Sequence, residues 1–128
     1  MFEDEGYKLI GAAFEVFNQL GYGMAEEIYQ QSLEIEFGLR GIPYVSKQSI
    51  TATYKGHQLE AFFKPDLIVF GGIVVELKAV SDLVPEHEAQ LFNYMRIVNQ
   101  PVGYLINFGQ PNALQWKRYI LSDLRGKK

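Results

Sequence analysis

The first twenty residues carry an amphipathic pattern. Leu9, Ile10, Ala13, Phe14, Val16, Phe17 and Leu20 recur at spacings of three and four, which predicts a helix over residues 3–20 with one wide apolar face. Gly21-Tyr22-Gly23 ends it, because glycine tolerates the left-handed conformation that follows a helix. A second helix is predicted over 24–40. Ile28, Ser32, Ile35 and Leu39 form one stripe, and Tyr29, Leu33 and Phe37 widen it, before Gly41 and Pro43 stop the helix. From residue 44 the period changes to two. Ile50, Ala52 and Tyr54 alternate with Thr51 and Thr53, as in a half-buried strand. Lys55-Gly56-His57-Gln58 reads as a turn. Strands over 59–70 and 73–80 follow, and Ile73-Val74-Val75 is apolar on both faces, which marks a central strand. Pro85, Glu86 and Glu88 open a third helix over about 86–99, closed by Asn99-Gln100-Pro101. Val102–Phe108 reads as a buried strand, Gly109–Asn112 as a loop and Leu114–Leu121 as an edge strand. The predicted order is α-α-β-β-β-α-β-β, an α/β fold with a mixed sheet flanked by helices.

Composition narrows the class. The chain has 128 residues, 48% of them hydrophobic, enough for the core of one domain, with a C-terminal tail over 122–128 whose end, Arg125–Lys128, is expected to fray. No apolar run is long enough to span a bilayer, and the acidic start Met1-Phe2-Glu3-Asp4-Glu5 does not resemble a signal peptide. A soluble, cytoplasmic protein is expected. The chain has no cysteine, so disulfides and thiolate metal sites are excluded. The net charge of -3 argues against a protein that coats nucleic acid nonspecifically, and leaves room for an enzyme with a local basic patch.

Three charges interrupt the most apolar stretch, Phe63 to Ala79: Asp66, Glu76 and Lys78. Each costs several kcal/mol there unless it is paired or holds a metal. Residues two apart on a strand share a face, so Glu76 and Lys78 project together. A carboxylate beside an ammonium divides labour. The carboxylate holds a hard cation such as Mg2+ or Mn2+, and the lysine orients or deprotonates water or stabilises charge on a phosphate. Asp66 joins them only in one register. A two-residue Gly71-Gly72 turn pairs Phe70 with Ile73 and sets Asp66 opposite Leu77. A three-residue loop of Phe70, Gly71 and Gly72 pairs Val69 with Ile73 and sets Asp66 opposite Glu76, so an odd-length loop is expected.

Pro65-Asp66 followed by Glu76-Leu77-Lys78 resembles the signature of the PD-(D/E)XK nuclease superfamily, which has a restriction-endonuclease-like core. The segment Gly23-Met24-Ala25-Glu26-Glu27-Ile28-Tyr29 resembles the motif of the GxxExxY family within it. His87-Glu88-Ala89-Gln90-Leu91, Tyr94 and Gly103 to Gly109 are also similar, so the likeness runs over residues 5–121. The resemblance implies a metal-dependent nuclease acting on DNA ahead of RNA. It implies Asp66, Glu76 and the Leu77 carbonyl as metal ligands, Glu26 as an additional acidic group and Lys78 as the catalytic lysine. It also implies that Gln90 and Tyr94 hold the nucleic acid or the site.

Other readings stand beside these. Glu26 also suits an exposed first-turn carboxylate. His87, Gln90, Leu91 and Tyr94 share one helix face, and for His87 a local first-turn hydrogen bond is favoured over direct catalysis. Asn107 reads as a structural amide on a buried strand. Trp116, Lys117, Arg118 and Tyr119 suit base stacking and phosphate contact, but better an edge strand with snorkelling side chains. A nuclease-fold binding module without turnover is the alternative function, and a metal-free acid/base hydrolase a third that leaves Lys78 without a role. Self-association would lengthen the groove of so small a domain.

Overall fold

A computed structural model describes residues 1–124. Two helices come first, α1 (Glu3–Leu20) and α2 (Glu26–Arg40). Five strands follow: β1 (Tyr44–Ser46), β2 (Ile50–Tyr54), β3 (His57–Phe63), β4 (Leu67–Val69) and β5 (Ile73–Lys78). Helix α3 (Pro85–Val98) crosses to β6 (Val102–Asn107), and β7 (Gln115–Ile120) and a short 3₁₀ turn (Ser122–Leu124) complete the described chain. The sheet order is β1-β4-β5-β6-β7. Among the described residues only the β5–β6 pair is parallel, and α3 makes the crossover that a parallel pair requires.

The order of helices and strands is the expected one, resolved more finely. The stretch expected as one strand over 59–70 divides at Lys64-Pro65-Asp66 into β3 and β4. Pro65 has no N–H to give a ladder, and the N–H of Asp66 is spent on a side chain. His57 and Gln58 belong to β3 rather than to the turn, which is Lys55-Gly56. The short strand Tyr44–Ser46, too brief to show a period, forms one edge of the sheet.

The pleat sorts β5 into two faces. Ile73, Val75 and Leu77 join the larger core with Leu9, Ala13 and Val16 of α1 and Tyr29, Leu33 and Phe37 of α2. Val74 faces the other way, against Leu91 and Met95 of α3. On α2 the stripe through Ile28, Ile35 and Leu39 is not the buried one; these residues are 46, 65 and 76% exposed. The buried positions are Tyr29, Gln30, Leu33 and Phe37. Two apolar stripes compete on this helix, and docking against α1 and the sheet covers one of them. Phe14 is likewise exposed. Among the described residues no helix is long and apolar enough to cross a membrane.

Asn107 is fully buried, and its amide is completely used. Its Oδ1 accepts from Val80 N–H (2.9 Å) and Gly109 N–H (3.0 Å), and its Nδ2 donates to the Val80 carbonyl (2.9 Å) and Gln115 Oε1 (3.0 Å). This clamp fixes the chain just beyond Lys78. A Cβ at Gly109 would lie 2.1 Å from the Val80 carbonyl oxygen, so only glycine fits there. Asn107→Ala is expected to cost about 2–4 kcal/mol in urea denaturation, since it strands several buried backbone groups. A cost below about 0.5 kcal/mol would show that water replaces the amide there.

Candidate active site

The β4–β5 connection is the three-residue loop. Val69 pairs with Ile73, Ile68 with Val74 and Leu67 with Val75. Phe70 (φ 54°) and Gly71 (φ 73°) supply the left-handed residues such a loop needs. Carried one step further, this register sets Asp66 opposite Glu76. The two residues are locked reciprocally. Asp66 N–H donates to Glu76 Oε2 at 2.8 Å, and Leu77 N–H donates to Asp66 Oδ2 at 2.8 Å. Each carboxylate therefore has one oxygen fixed by the backbone. Asp66 Oδ1 and Glu76 Oε1 take no hydrogen bond among the described residues.

Glu76 and Lys78 lie on the face turned toward α3. Lys78 Nζ donates to Gln90 Oε1 at 3.1 Å, and Gln90 Nε2 donates to the Tyr94 hydroxyl at 3.2 Å. A single turn of helix thus presents both groups to the strand. The Tyr94 ring stacks on Phe63 at the base of β3, with centroids 5.0 Å apart.

From the other side, α2 grips the main chain of Asp66. Its carbonyl accepts from Gln30 Nε2 at 3.0 Å and from Lys47 N–H at 3.2 Å. Gln30 is buried and also donates to Glu34 and Ser46. Tyr29 anchors the start of α2. Its hydroxyl donates to the Gly21 carbonyl at 2.6 Å, and its ring stacks on Phe108. Glu26, one turn earlier, is exposed at the end of the sheet, within electrostatic reach of Asp66 and Lys78.

A family model for the PD-(D/E)XK nuclease superfamily matches residues 3–119. The chain belongs to this superfamily. The crystal structure of SSO0001 superposes on it with a TM-score of 0.57 and 19% identity, covering 73% of this chain and 48% of that one. The chain thus spans about half of that protein's length, and the likeness is one of fold. No curated protein matches significantly.

The electrostatics of this PD-(D/E)XK centre are those of crowded, partly dehydrated carboxylates. Burial, then the charge of Asp66, pushes Glu76 up to about 8. Burial also raises Asp66, against the opposing pull of the Leu77 N–H and the charges of Lys78 and Lys47. Glu26, exposed as a residue but with its carboxyl partly shielded from water, is raised as well, by that desolvation and then by the charge of Asp66. Tyr94 is raised by burial and by the charges of Glu76 and Asp66. Among the described residues no group of three or more His, Cys, Asp or Glu gathers in metal-holding geometry. Asp66 and Glu76 meet as a pair, without Glu26 as a third member. The pair still fits a hard divalent cation. Two carboxylate oxygens are unpartnered, their charge is under-compensated, and Mg2+ typically takes only one or two protein carboxylates beside water and substrate phosphate.

His87 does what its first-turn position suggests. Its Nδ1 accepts from Val84 N–H at 3.1 Å, and its own N–H donates to the Val84 carbonyl at 2.9 Å, closing the start of α3. Tyr119 and Lys117 both engage Glu88. Gln30, Lys47 and Phe63 are the residues whose place at this site the sequence did not announce. A signal for Gln30 existed in its spacing, four residues after Glu26 on the same helix face.

Proposed function

We propose that this protein is a divalent-cation-dependent nuclease of the GxxExxY group, hydrolysing phosphodiester bonds with DNA as substrate ahead of RNA. The observation that carries this reading is the reciprocal lock between Asp66 and Glu76, which leaves one free oxygen on each beside Lys78. Asp66, Glu76 and the Leu77 carbonyl would hold Mg2+ or Mn2+, with Glu26 as an additional acidic group. Such a cation supplies a water of lowered pKa and offsets charge developing at phosphorus. Lys78, held by Gln90, orients the attacking water or neutralises the phosphate oxygens as charge builds on them. Tyr94 and Gln90 fix that lysine and line the path of the substrate.

The test is cleavage of labelled single- and double-stranded DNA by purified protein with Mg2+ or Mn2+. EDTA should abolish it. Lys78→Ala should lower the rate at least about 10²-fold, the scale for losing one charge-stabilising donor, while Mn2+ binding measured by calorimetry persists. Undiminished cleavage in Lys78→Ala would refute the assignment.

The pairing of only two carboxylates favours one other reading, a nuclease-fold binding module without turnover. It predicts no heat of Mn2+ binding to the wild type and no change in Asp66→Ala.

A further inference from the structure

Among the described residues the β2–β3 hairpin belongs to no larger sheet. Its strands pair only with each other, and β3 is exposed from His57 to Phe62. An isolated two-stranded ribbon is marginally stable in water, so its retention calls for a use. The hairpin leads directly into the site. Only Lys64 and Pro65 separate Phe63 from Asp66, and Phe63 stacks on Tyr94, whose hydroxyl bonds the glutamine that holds Lys78.

The register assigns its faces. Ile50 pairs with Phe63 and Tyr54 with His57, so Ile50, Tyr54, His57, Leu59 and Phe63 share one face. Thr51, Thr53, Gln58 and Phe62 occupy the other. On the first face Tyr54 is 63% exposed at the tip and Leu59 40% exposed midway. Charge points the same way. Residues 47–64 carry three lysines against one carboxylate, Glu60, in a chain whose net charge is -3. Lys47 is paired with Glu27. Lys55 and Lys64 have no carboxylate partner among the described residues; on the first face the Lys55 ammonium lies over the Tyr54 ring at 5.6 Å, whereas Lys64 lies over Phe62 at 5.4 Å on the other face, turned away from Phe63 and Tyr94.

We infer that this hairpin is an arm that binds a single-stranded segment of nucleic acid along its Tyr54–Leu59–Phe63 face and leads it to Asp66 and Glu76. The inference rests on the nuclease reading for its substrate class and adds the element that grips the strand. An exposed ring beside a free ammonium offers a base-stacking surface next to a phosphate contact. From His57 to Phe63 the arm reaches about 20 Å at ~3.3 Å per residue, the length of roughly six nucleotides in a stacked strand. A second copy of this chain fits the arm less well. The irregular pairing between Thr51 and Thr53 interrupts the ladder that strand addition would extend, and the cations would remain unpaired.

The test is fluorescence anisotropy with a labelled oligo-dT of about twenty nucleotides in EDTA, where no cation-dependent cleavage can occur. Tyr54→Ala should weaken binding about tenfold. Lys55→Asn keeps a residue that accepts the positive φ of this turn, and should reduce the slope of log affinity against log salt by about 0.7. Phe62→Ala, on the opposite face, should change affinity less than about twofold, as expected away from the stacking surface. Circular dichroism checks that each variant folds. No binding by the wild type, undiminished affinity in Tyr54→Ala, or an equal loss in Phe62→Ala overturns the arm. So does a dimer, seen by sedimentation, that Tyr54→Ala dissociates with affinity intact. The two readings fail separately. Wild-type cleavage with oligo-dT affinity unchanged in the arm variants removes the arm and leaves the nuclease. Arm-dependent binding without any cleavage removes the nuclease and leaves the arm.

Discussion

Replacing Glu76 by glutamine is expected to stabilise the metal-free protein at pH 8 and to abolish cleavage. Glu76 is only 4% exposed, and its proton is held up to about 8 against an ordinary value of 4.5. An acid whose folded-state pKa is raised binds protons better folded than unfolded. Stability is therefore highest below 4.5 as far as this group is concerned, and falls as pH rises toward 8. Asp66 shifts in the same direction and adds to the loss. Together they place the effect at a few kcal/mol. Glutamine keeps an oxygen for the Asp66 N–H but carries no charge, so the slope between pH 5 and 8 should flatten. Mn2+ should restore the wild type by about 3 kcal/mol at a hundred times its dissociation constant and leave Glu76→Gln unmoved. Urea midpoints across this pH range, with and without Mn2+, make the measurement. A metal-free wild type whose stability is level or rises from pH 5 to 8 contradicts the account.

Removing Gly71 is expected to destabilise the fold itself. With two loop residues left, the strands re-pair by one position or strain to keep their register. Re-pairing turns Leu67 and Val69 out of the core, where both are now fully buried, and swings Asp66 away from Glu76. The cost should exceed about 4 kcal/mol, the scale for losing two core side chains. Any protein that still folds should show no Mn2+ response. Thermal melting with and without Mn2+ decides it, and a shortened loop with wild-type stability and wild-type cation response would show that the register is not set by loop length.

The architecture could be read from the chain where one pattern dominated. Helix α1 and the central strand β5 follow from single, strong patterns, helix α3 from its start and stop residues, and the facing of Asp66 and Glu76 from counting loop residues. Helix α2 was harder, because two apolar stripes run along it and nothing local says which one meets the sheet. The hairpin arm was hidden for a related reason. Alternation in β2 and β3 announces strands, but whether they join the main sheet depends on where Pro65 breaks the chain. At the site, the charged residues stood out against Ile, Val and Leu. Gln30 did not, because a glutamine on a helix looks like surface until its carbonyl partner, far away in sequence, is in place.

The bond from Gln30 to the Asp66 carbonyl spans 36 residues, and the parallel β5–β6 pairing waits for α3 to cross over. Contacts this distant in sequence form late, after local helices and hairpins. Refolding should thus recover helical signal before it recovers a cation-responsive site. On the ribosome the same order holds, since α1 and α2 emerge before the strands they grip. A half-made chain has its helices but no assembled carboxylate pair, so the cation response appears only once the last strands are in place.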